Sequence, residues 1–239
     1  MERISLIIPA YNEEKYIGAC LEHAIKNSGY LWGEIIVIDN ASTDGTAEIA
    51  GRFPGVRVVR EEQKGLTKAR QRGMQEATGS ILAYIDADTR MPDGWAQTVQ
   101  REFLLHDNLA TLSGPYVYYD VPRIQQWTVR YLWWGFLAMP FYMYTGYMLV
   151  GGNFAIRRSV LAEMGGFDTS IEFYGEDTDI ARRASKFGKA KFKPGFVMYT
   201  SGRRFHGQGI LKTGALYGAN FLSEIFLKRP VTQEYTDIR

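Results

Sequence analysis

One cysteine, Cys20, in 239 residues excludes an internal disulfide, and such chains suit a reducing compartment. Charge of one sign is also lacking. A formal net charge of +2 leaves no electrostatic footprint for nucleic acid, so none is expected as a partner. No G-x-G-x-x-G follows the first apolar run, and no G-x-x-x-x-G-K-[ST] occurs anywhere. The glycine-loop modes of holding a nucleotide phosphate are therefore absent, and any bound phosphate must be held by a metal or by cationic side chains. The opening run ISLIIPA has no basic leader and no cleavage pattern before it, which predicts a cytoplasmic location. What remains is an ordinary globular balance, 46% hydrophobic and 23% charged, in a chain long enough for one sizeable domain. The unusual figure is 14% aromatic, much of it in one stretch.

In chain order, Ile4 to Ile8 reads as a buried parallel strand ended by Pro9. Asn12 is positioned to cap a helix with Glu13 and Glu14 in its first turn and an apolar stripe at Ile17, Cys20, Leu21, Ala24 and Ile25. Glu34 to Asp39 is a second strand ending in an acid. Thr43 or Asp44 can cap the helix starting near Thr46. A third strand over Val56 to Val59, a helix over Gly65 to Ala77 and a strand over Ile81 to Ile85 complete a β-α alternation. That alternation predicts βαβ units and a mostly parallel sheet.

The last of these strands runs into Asp86-Ala87-Asp88. If the strand continues through them, both carboxylates share a face and form an all-oxygen site for Mn²⁺ or Mg²⁺ at a strand's carboxyl end. A solvated turn gives the same pattern. Four segments then act together: PAYNEE at 9–14, VIDNASTDGT at 37–46, KGLTKARQRG at 64–73 and YIDADT at 84–89. In this order and spacing they resemble the inverting nucleotide-sugar glycosyltransferases of family 2, and the resemblance runs to about residue 205. It implies the GT-A fold: an α/β domain with a single Rossmann-like, mostly parallel sheet flanked by helices. It also implies a nucleotide-sugar donor held by Pro9, Ala10, Tyr11, Glu13, Asp39, Asn40, Lys64, Arg70, Asp86 and Ala87. Asp88, with Asp86, would hold the metal. On their own, Asp39 equally suits a turn cap and Arg70 a solvated helix face.

The second half begins with a helix over Pro92 to Leu105 and a strand over Thr111 to Tyr119. Tyr131 to Val150 contains no charged residue and is long enough to be weighed as a membrane span. A single crossing is rejected, because it would put Asp88 and the acids at 176–177 on opposite sides. Three readings stay open: a membrane-interfacial or re-entrant helical insertion, a core or homodimer surface, and an acceptor-side groove for a lipid. Trp133, Trp134, Tyr142, Tyr144 and Tyr147 favour the headgroup region. Arg182, Arg183, Lys186, Lys189, Lys191 and Lys193 would add a basic face for an anionic bilayer.

Further on, Ser159 is placed to cap a short helix and Gly151 and Gly152 permit a tight turn; the resemblance puts this stretch at the floor of the sugar pocket, with Asn153 a candidate sugar contact. By themselves Glu176 and Asp177 suit dipole complementation at a helix start. The resemblance makes Asp177 the catalytic base, with Glu176 its neighbour that could take that role. Arg203 and Arg204 are candidate phosphate clamps, and the resemblance makes His206 a candidate third metal ligand, although a lone histidine equally suits a structural or exposed place. Residues 1–239 are thus expected to form one domain. Residues 1–110 would be the nucleotide-sugar-binding half and 111–205 the acceptor-binding and catalytic half, with its apolar segment at 124–150. Residues 206–239 would be an amphipathic helix and tail.

The function implied is inverting transfer from a UDP- or GDP-sugar to a hydroxyl of a lipid-linked or membrane-associated acceptor. The work would serve cell-envelope polysaccharide or glycolipid synthesis, on the inner face of the membrane. The alternatives are a polyprenyl-phosphate acceptor and, from another class, an inactive nucleotide-sugar- or membrane-binding protein.

Overall fold

In β1 (Ile4–Ala10) every residue is buried, and side chains alternate between two cores. Ile4, Leu6, Ile8 and Ala10 join one cluster and Ile7 the other, as a strand covered on both faces requires. The computed structural model describes residues 2–28, 30–171, 175–203 and 223. Following β1 are α1 (Ile17–Lys26), β2 (Trp32–Asp39), α2 (Thr46–Gly51), β3 (Val56–Arg60), α3 (Leu66–Glu76) and β4 (Ile81–Ile85). Then come β5 (Thr89–Arg90), α4 (Trp95–Leu105), β6 (Leu109–Ser113) and β7 (Tyr116–Tyr118). The apolar stretch forms α5 (Arg123–Thr128), a helix of π-type turns (Val129–Ala138) and α6 (Met139–Thr145). The remainder is β8 (Asn153–Arg157), α7 (Arg158–Glu163), α8 (Glu176–Ala184), β9 (Lys189–Phe192) and β10 (Met198–Thr200).

The main sheet has the order β3-β2-β1-β4-β8-β6-β9. The first four strands are parallel, and β8 runs antiparallel to both neighbours. A second sheet, β5-β10-β7, joins three short strands. Buried residues of α1, α2 and α4 fill one core; those of α3, α7 and α8 fill the other. The predicted α/β architecture is therefore present, with two details changed. The strand expected over Thr111 to Tyr119 is two strands parted at Gly114-Pro115, where a Cβ on Gly114 would collide with the Phe196 carbonyl. Neither Asn12 nor Ser159 caps a helix. Asn12 instead accepts from the Thr43 backbone N–H at 2.8 Å, and α7 already starts at Arg158. Asp44 does accept from the Thr46 N–H, at 3.0 Å.

Asn153 ties the layers together. Its Oδ1 accepts from Trp95 Nε1 at 2.8 Å, and its Nδ2 donates to the carbonyls of Gly114 at 2.9 Å and Phe196 at 2.8 Å. The side chain is fully buried, so the sugar contact expected of it is corrected: its hydrogen-bonding capacity is spent inside the fold. Asn153→Ala leaves three buried partners unmatched. It is expected to lower the unfolding free energy by about 2–4 kcal/mol in a urea titration. A loss under about 0.5 kcal/mol would contradict this role.

Candidate active site

The carboxyl ends of β2, β1 and β4 lie side by side and present the acids predicted from the sequence. Asp39, the last residue of β2, is almost fully buried. Its Oδ2 accepts from Arg60 Nη1 at 2.6 Å and its Oδ1 from the Ser42 N–H at 3.3 Å. Arg60, at the end of β3, carried no recognised motif and was missed; only its place at the sheet's carboxyl edge could have flagged it. Asn40 faces inward. Its Nδ2 donates to the Gln63 carbonyl at 2.7 Å and its Oδ1 accepts from the Gly65 N–H at 2.8 Å. It therefore shapes the loop into α3 and has no amide group left over for a ligand. Pro9 and Ala10 supply buried β1 backbone, and Lys64 Nζ stands 4.1 Å from the centre of the Tyr11 ring.

β4 stops at Ile85, the end read from the sequence, so the condition under which Asp86 and Asp88 would share a strand face is not met. A turn follows, closed by the Thr89 N–H on the Asp86 carbonyl at 3.1 Å. The two carboxylates therefore do not share strand geometry, and they meet different partners. Asp86 accepts from Arg70 Nη2 at 3.3 Å and from the Tyr116 hydroxyl at 2.9 Å. Asp88 pairs with Arg203 Nη2 at 3.0 Å and accepts from the Thr200 hydroxyl at 3.4 Å. Ala87 between them is buried. Gly152 lies so close to this turn that a Cβ there would overlap the Asp86 carboxyl and the Tyr116 hydroxyl. Burial, reinforced by the Asp86 charge, holds the Tyr116 hydroxyl well above the usual phenol range, so it stays a donor to Asp86.

Arg70 was expected against the base or phosphates. It is only 1% exposed and is enclosed by Asp86, the Gly151 carbonyl at 2.7 Å, and Glu176, with which Nη1 pairs. That corrects the expectation: Arg70 joins the end of β4 to the start of α8 from within the protein. Glu176 begins α8 and is buried, while Asp177 is half-buried and accepts from the Thr178 N–H at 2.8 Å. Burial pushes the Glu176 carboxyl up to about 7, with Arg70 opposing and Asp177 adding to the rise. Burial also raises Asp177, against the pull of the Thr178 N–H.

Glu13 was expected to touch the donor. Its carboxylate is buried and grips Arg203, with Nη1 at 2.8 Å and Nη2 at 2.6 Å. Arg203 thus bridges Glu13 and Asp88 and lies over the Tyr16 ring, 5.0 Å from its centre. Arg182 and Arg183 are not free for phosphate, since both pair with Asp179 at 2.7 Å. Arg204 and His206 lie outside the described residues, as does the predicted C-terminal helix. Among the described residues no group of three or more His, Cys, Asp or Glu is gathered for a metal.

A parallel sheet with acids at adjoining strand ends, and further acids opening a helix nearby, defines an α/β protein built to hold a polar ligand at its carboxyl edge. The family model described as "Glycosyl transferase family 2" matches residues 5–165, and the chain belongs to that family. It is 35% identical over 118 residues to glycosyltransferase AglE of Haloferax volcanii, covering 46% of this chain and 36% of that protein. A mannosyltransferase of Pyrobaculum calidifontis, solved with GDP-Man and Mn²⁺, is similar at a TM-score of 0.69 and 24% identity, over 95% of this chain and 64% of that one. Glucosyl-3-phosphoglycerate synthase of Mycobacterium tuberculosis, solved with Mn²⁺, UDP and phosphoglyceric acid, gives 0.62 and 21%, over 95% and 78%. These likenesses establish the GT-A fold. The chain spans well under half the length of the AglE relative.

The Glu176 carboxyl rises from an ordinary 4.5 to about 7, so the folded chain binds this proton more tightly than the unfolded chain does. The associated stability is complete below about 4.5 and is lost as pH rises through about 7. Between about pH 5 and 8, wild-type unfolding free energy should therefore fall more steeply than that of Glu176→Gln. Parallel curves in urea titrations across that range would contradict the raised value.

Proposed function

We propose that the chain catalyses inverting transfer of a sugar from a UDP- or GDP-sugar to a hydroxyl of a membrane-associated acceptor. The observation that carries this reading is the Asp86–Arg70–Glu176 bridge. It joins the end of β4, which leads into Asp86 and Asp88, to the Glu176–Asp177 pair that opens α8, and these are the acids proposed for the donor side and the acceptor side. Asp39, at the end of β2, is the acceptor proposed for the base. Arg203 supplies the cation beside the diphosphate.

In this mechanism the acceptor oxygen attacks the anomeric carbon while Asp177 takes its proton. The carbon–oxygen bond to the diphosphate breaks, and that electron pair leaves with the diphosphate. A single displacement from the opposite face inverts the anomeric centre. The raised Asp177 value moves the carboxylate toward the range suited to a base.

A divalent ion fits this site in kind. Asp88 and Asp86 offer hard carboxylate oxygens, and Asp88 already draws a cation, the Arg203 guanidinium. Asp88, with Asp86, would hold Mn²⁺ or Mg²⁺ together with donor phosphate oxygens. The ion would supply charge neutralisation for the departing diphosphate. The relatives solved with Mn²⁺ and GDP-Man or UDP support this assignment.

A second reading, transfer to a polyprenyl phosphate, is favoured by the aromatic segment over Tyr131 to Val150. A phosphate acceptor is already ionised, so Asp177 would then position it rather than deprotonate it. No helix among the described residues is long and apolar enough to cross a membrane, and the enzyme is proposed to sit peripherally on the inner face.

Asp177→Asn is expected to lower kcat by about 10²–10⁴ while leaving donor binding intact. Near-normal turnover with an ionised acceptor would select the polyprenyl-phosphate reading, and near-normal turnover with a hydroxyl acceptor would remove Asp177 as base. Asp88→Ala is expected to abolish the Mn²⁺ dependence of donor binding in calorimetry. Unchanged metal-dependent binding would remove Asp88 from the metal site.

A further inference from the structure

The apolar stretch from α5 to α6 has two faces, and the fold uses one of them. Trp134, Ala138 and Tyr142, four residues apart, turn toward β9: Phe192 lies 5.7 Å from the Trp134 ring and 6.0 Å from the Tyr142 ring, centre to centre. Pro140 falls at the second residue of α6, directly after the π-type turns, and the helical turns run on through it. Among the described residues nothing covers the other face. Ile124 is 71% exposed, Phe136 73%, Met143 79% and Tyr144 88%, while Trp127 and Tyr131 are each more than half exposed. Half of the exposed large apolar side chains of the described residues thus fall within 124–144. A patch of this kind on a water-soluble surface marks an interaction site.

Charge on this face has one sign. No Asp or Glu occurs from Val121 to Ala162, and Arg123 and Arg130 stand seven residues apart on either side of Ile124 and Trp127. Both arginines are exposed, and neither has an ion pair among the described residues. Asp120, the nearest acid before the segment, is exposed, but its carboxylate is engaged, accepting from the Ser201 hydroxyl and the Gly202 N–H. The other cations read from the sequence as a basic face do not contribute equally. Lys191 and Lys193 are both held by Glu102, at 2.6 Å, and Arg182 and Arg183 by Asp179.

We infer that this outer face docks on an anionic phospholipid bilayer. Trp127, Tyr131, Phe136, Met143 and Tyr144 would enter the headgroup boundary, and Arg123 and Arg130 would meet lipid phosphates. Charge complementarity selects this occupant over a second copy of the chain. Two copies meeting through this face would bring four unpaired arginines together with no acid on either side. The seated face of the same segment packs beside the proposed active site. Tyr116 packs against the same small core as Trp134 and Met148, and its hydroxyl donates to Asp86. A bilayer on the outer face would therefore present membrane-bound acceptors beside the donor. The inference deepens the proposed acceptor class and rests on that reading only for the acceptor's location.

The test is co-sedimentation of the full chain with vesicles, with neither donor nor acceptor present. Pure phosphatidylcholine is compared with phosphatidylcholine containing about one-third phosphatidylglycerol, at about 0.1 and 0.5 M NaCl. Binding at least ten-fold stronger to the anionic vesicles, and weakened by salt, is expected. Arg123→Glu with Arg130→Glu should remove that preference. Trp127→Ser with Phe136→Ser should weaken binding at least ten-fold. All these side chains are exposed, so the variants should keep the wild-type circular dichroism and melting temperature. Equal recovery of wild type with and without vesicles would overturn the inference. So would a dimer in analytical ultracentrifugation that Trp127→Ser with Phe136→Ser dissolves. Donor binding, measured separately by calorimetry, would stand or fall independently of either result.

Discussion

A buried guanidinium fixes the geometry of this site. Arg70 cannot lose its proton and cannot remain charged in the interior without partners, and removing one partner of such a group typically costs about 3–5 kcal/mol. Its partners are Asp86 at the end of β4, Glu176 at the start of α8, and the Gly151 carbonyl just before β8. These three points come from separate parts of the chain. Satisfying one cation holds them together. The proposed donor side and acceptor side of the site are thereby set relative to each other by a cation that is itself buried.

The same constraint explains two features with no local cause. Gly151 and Gly152 have no side chains because the space is taken: a Cβ on Gly151 would come within 2.5 Å of Glu176 Oε1, and one on Gly152 would overlap Asp86 and Tyr116. Glu176 is kept near neutral pH in its titration because burial outweighs the pull of Arg70. Asp177 beside it is left half-buried. Of the two adjacent acids, Glu176 is committed to the scaffold and Asp177 is the one proposed for chemistry.

Much of this was legible in the sequence. Short apolar runs placed β1, β2 and β4, an apolar stripe at helical spacing placed α1, and the acids at strand ends marked the carboxyl edge of the sheet. Side-chain direction was not legible. Arg70 and Asn153 carry groups that suit ligands, yet both point inward, and their partners are distant in sequence: Gly151 for Arg70 and Trp95 for Asn153. Arg60 and Tyr116 were missed for the converse reason, since only tertiary pairing brings them to Asp39 and Asp86. The antiparallel β8 was hidden because its short run follows two glycines and reads as a loop. The aromatic segment was recognised as unusual, but only the fold separates its seated face from its exposed one.

The central claim is that the carboxyl edge of the sheet holds a nucleotide-sugar with the aid of a divalent ion. Thermal unfolding of the wild-type chain against UDP- and GDP-sugars, each with Mn²⁺ and with EDTA, tests it most directly. A ligand that binds only the folded state stabilises it by about 2.7 kcal/mol at ~100 times its Kd. The account predicts a rise in melting temperature for one nucleotide class, present with Mn²⁺ and lost with EDTA. No rise with any donor, in protein that melts cooperatively, would contradict it.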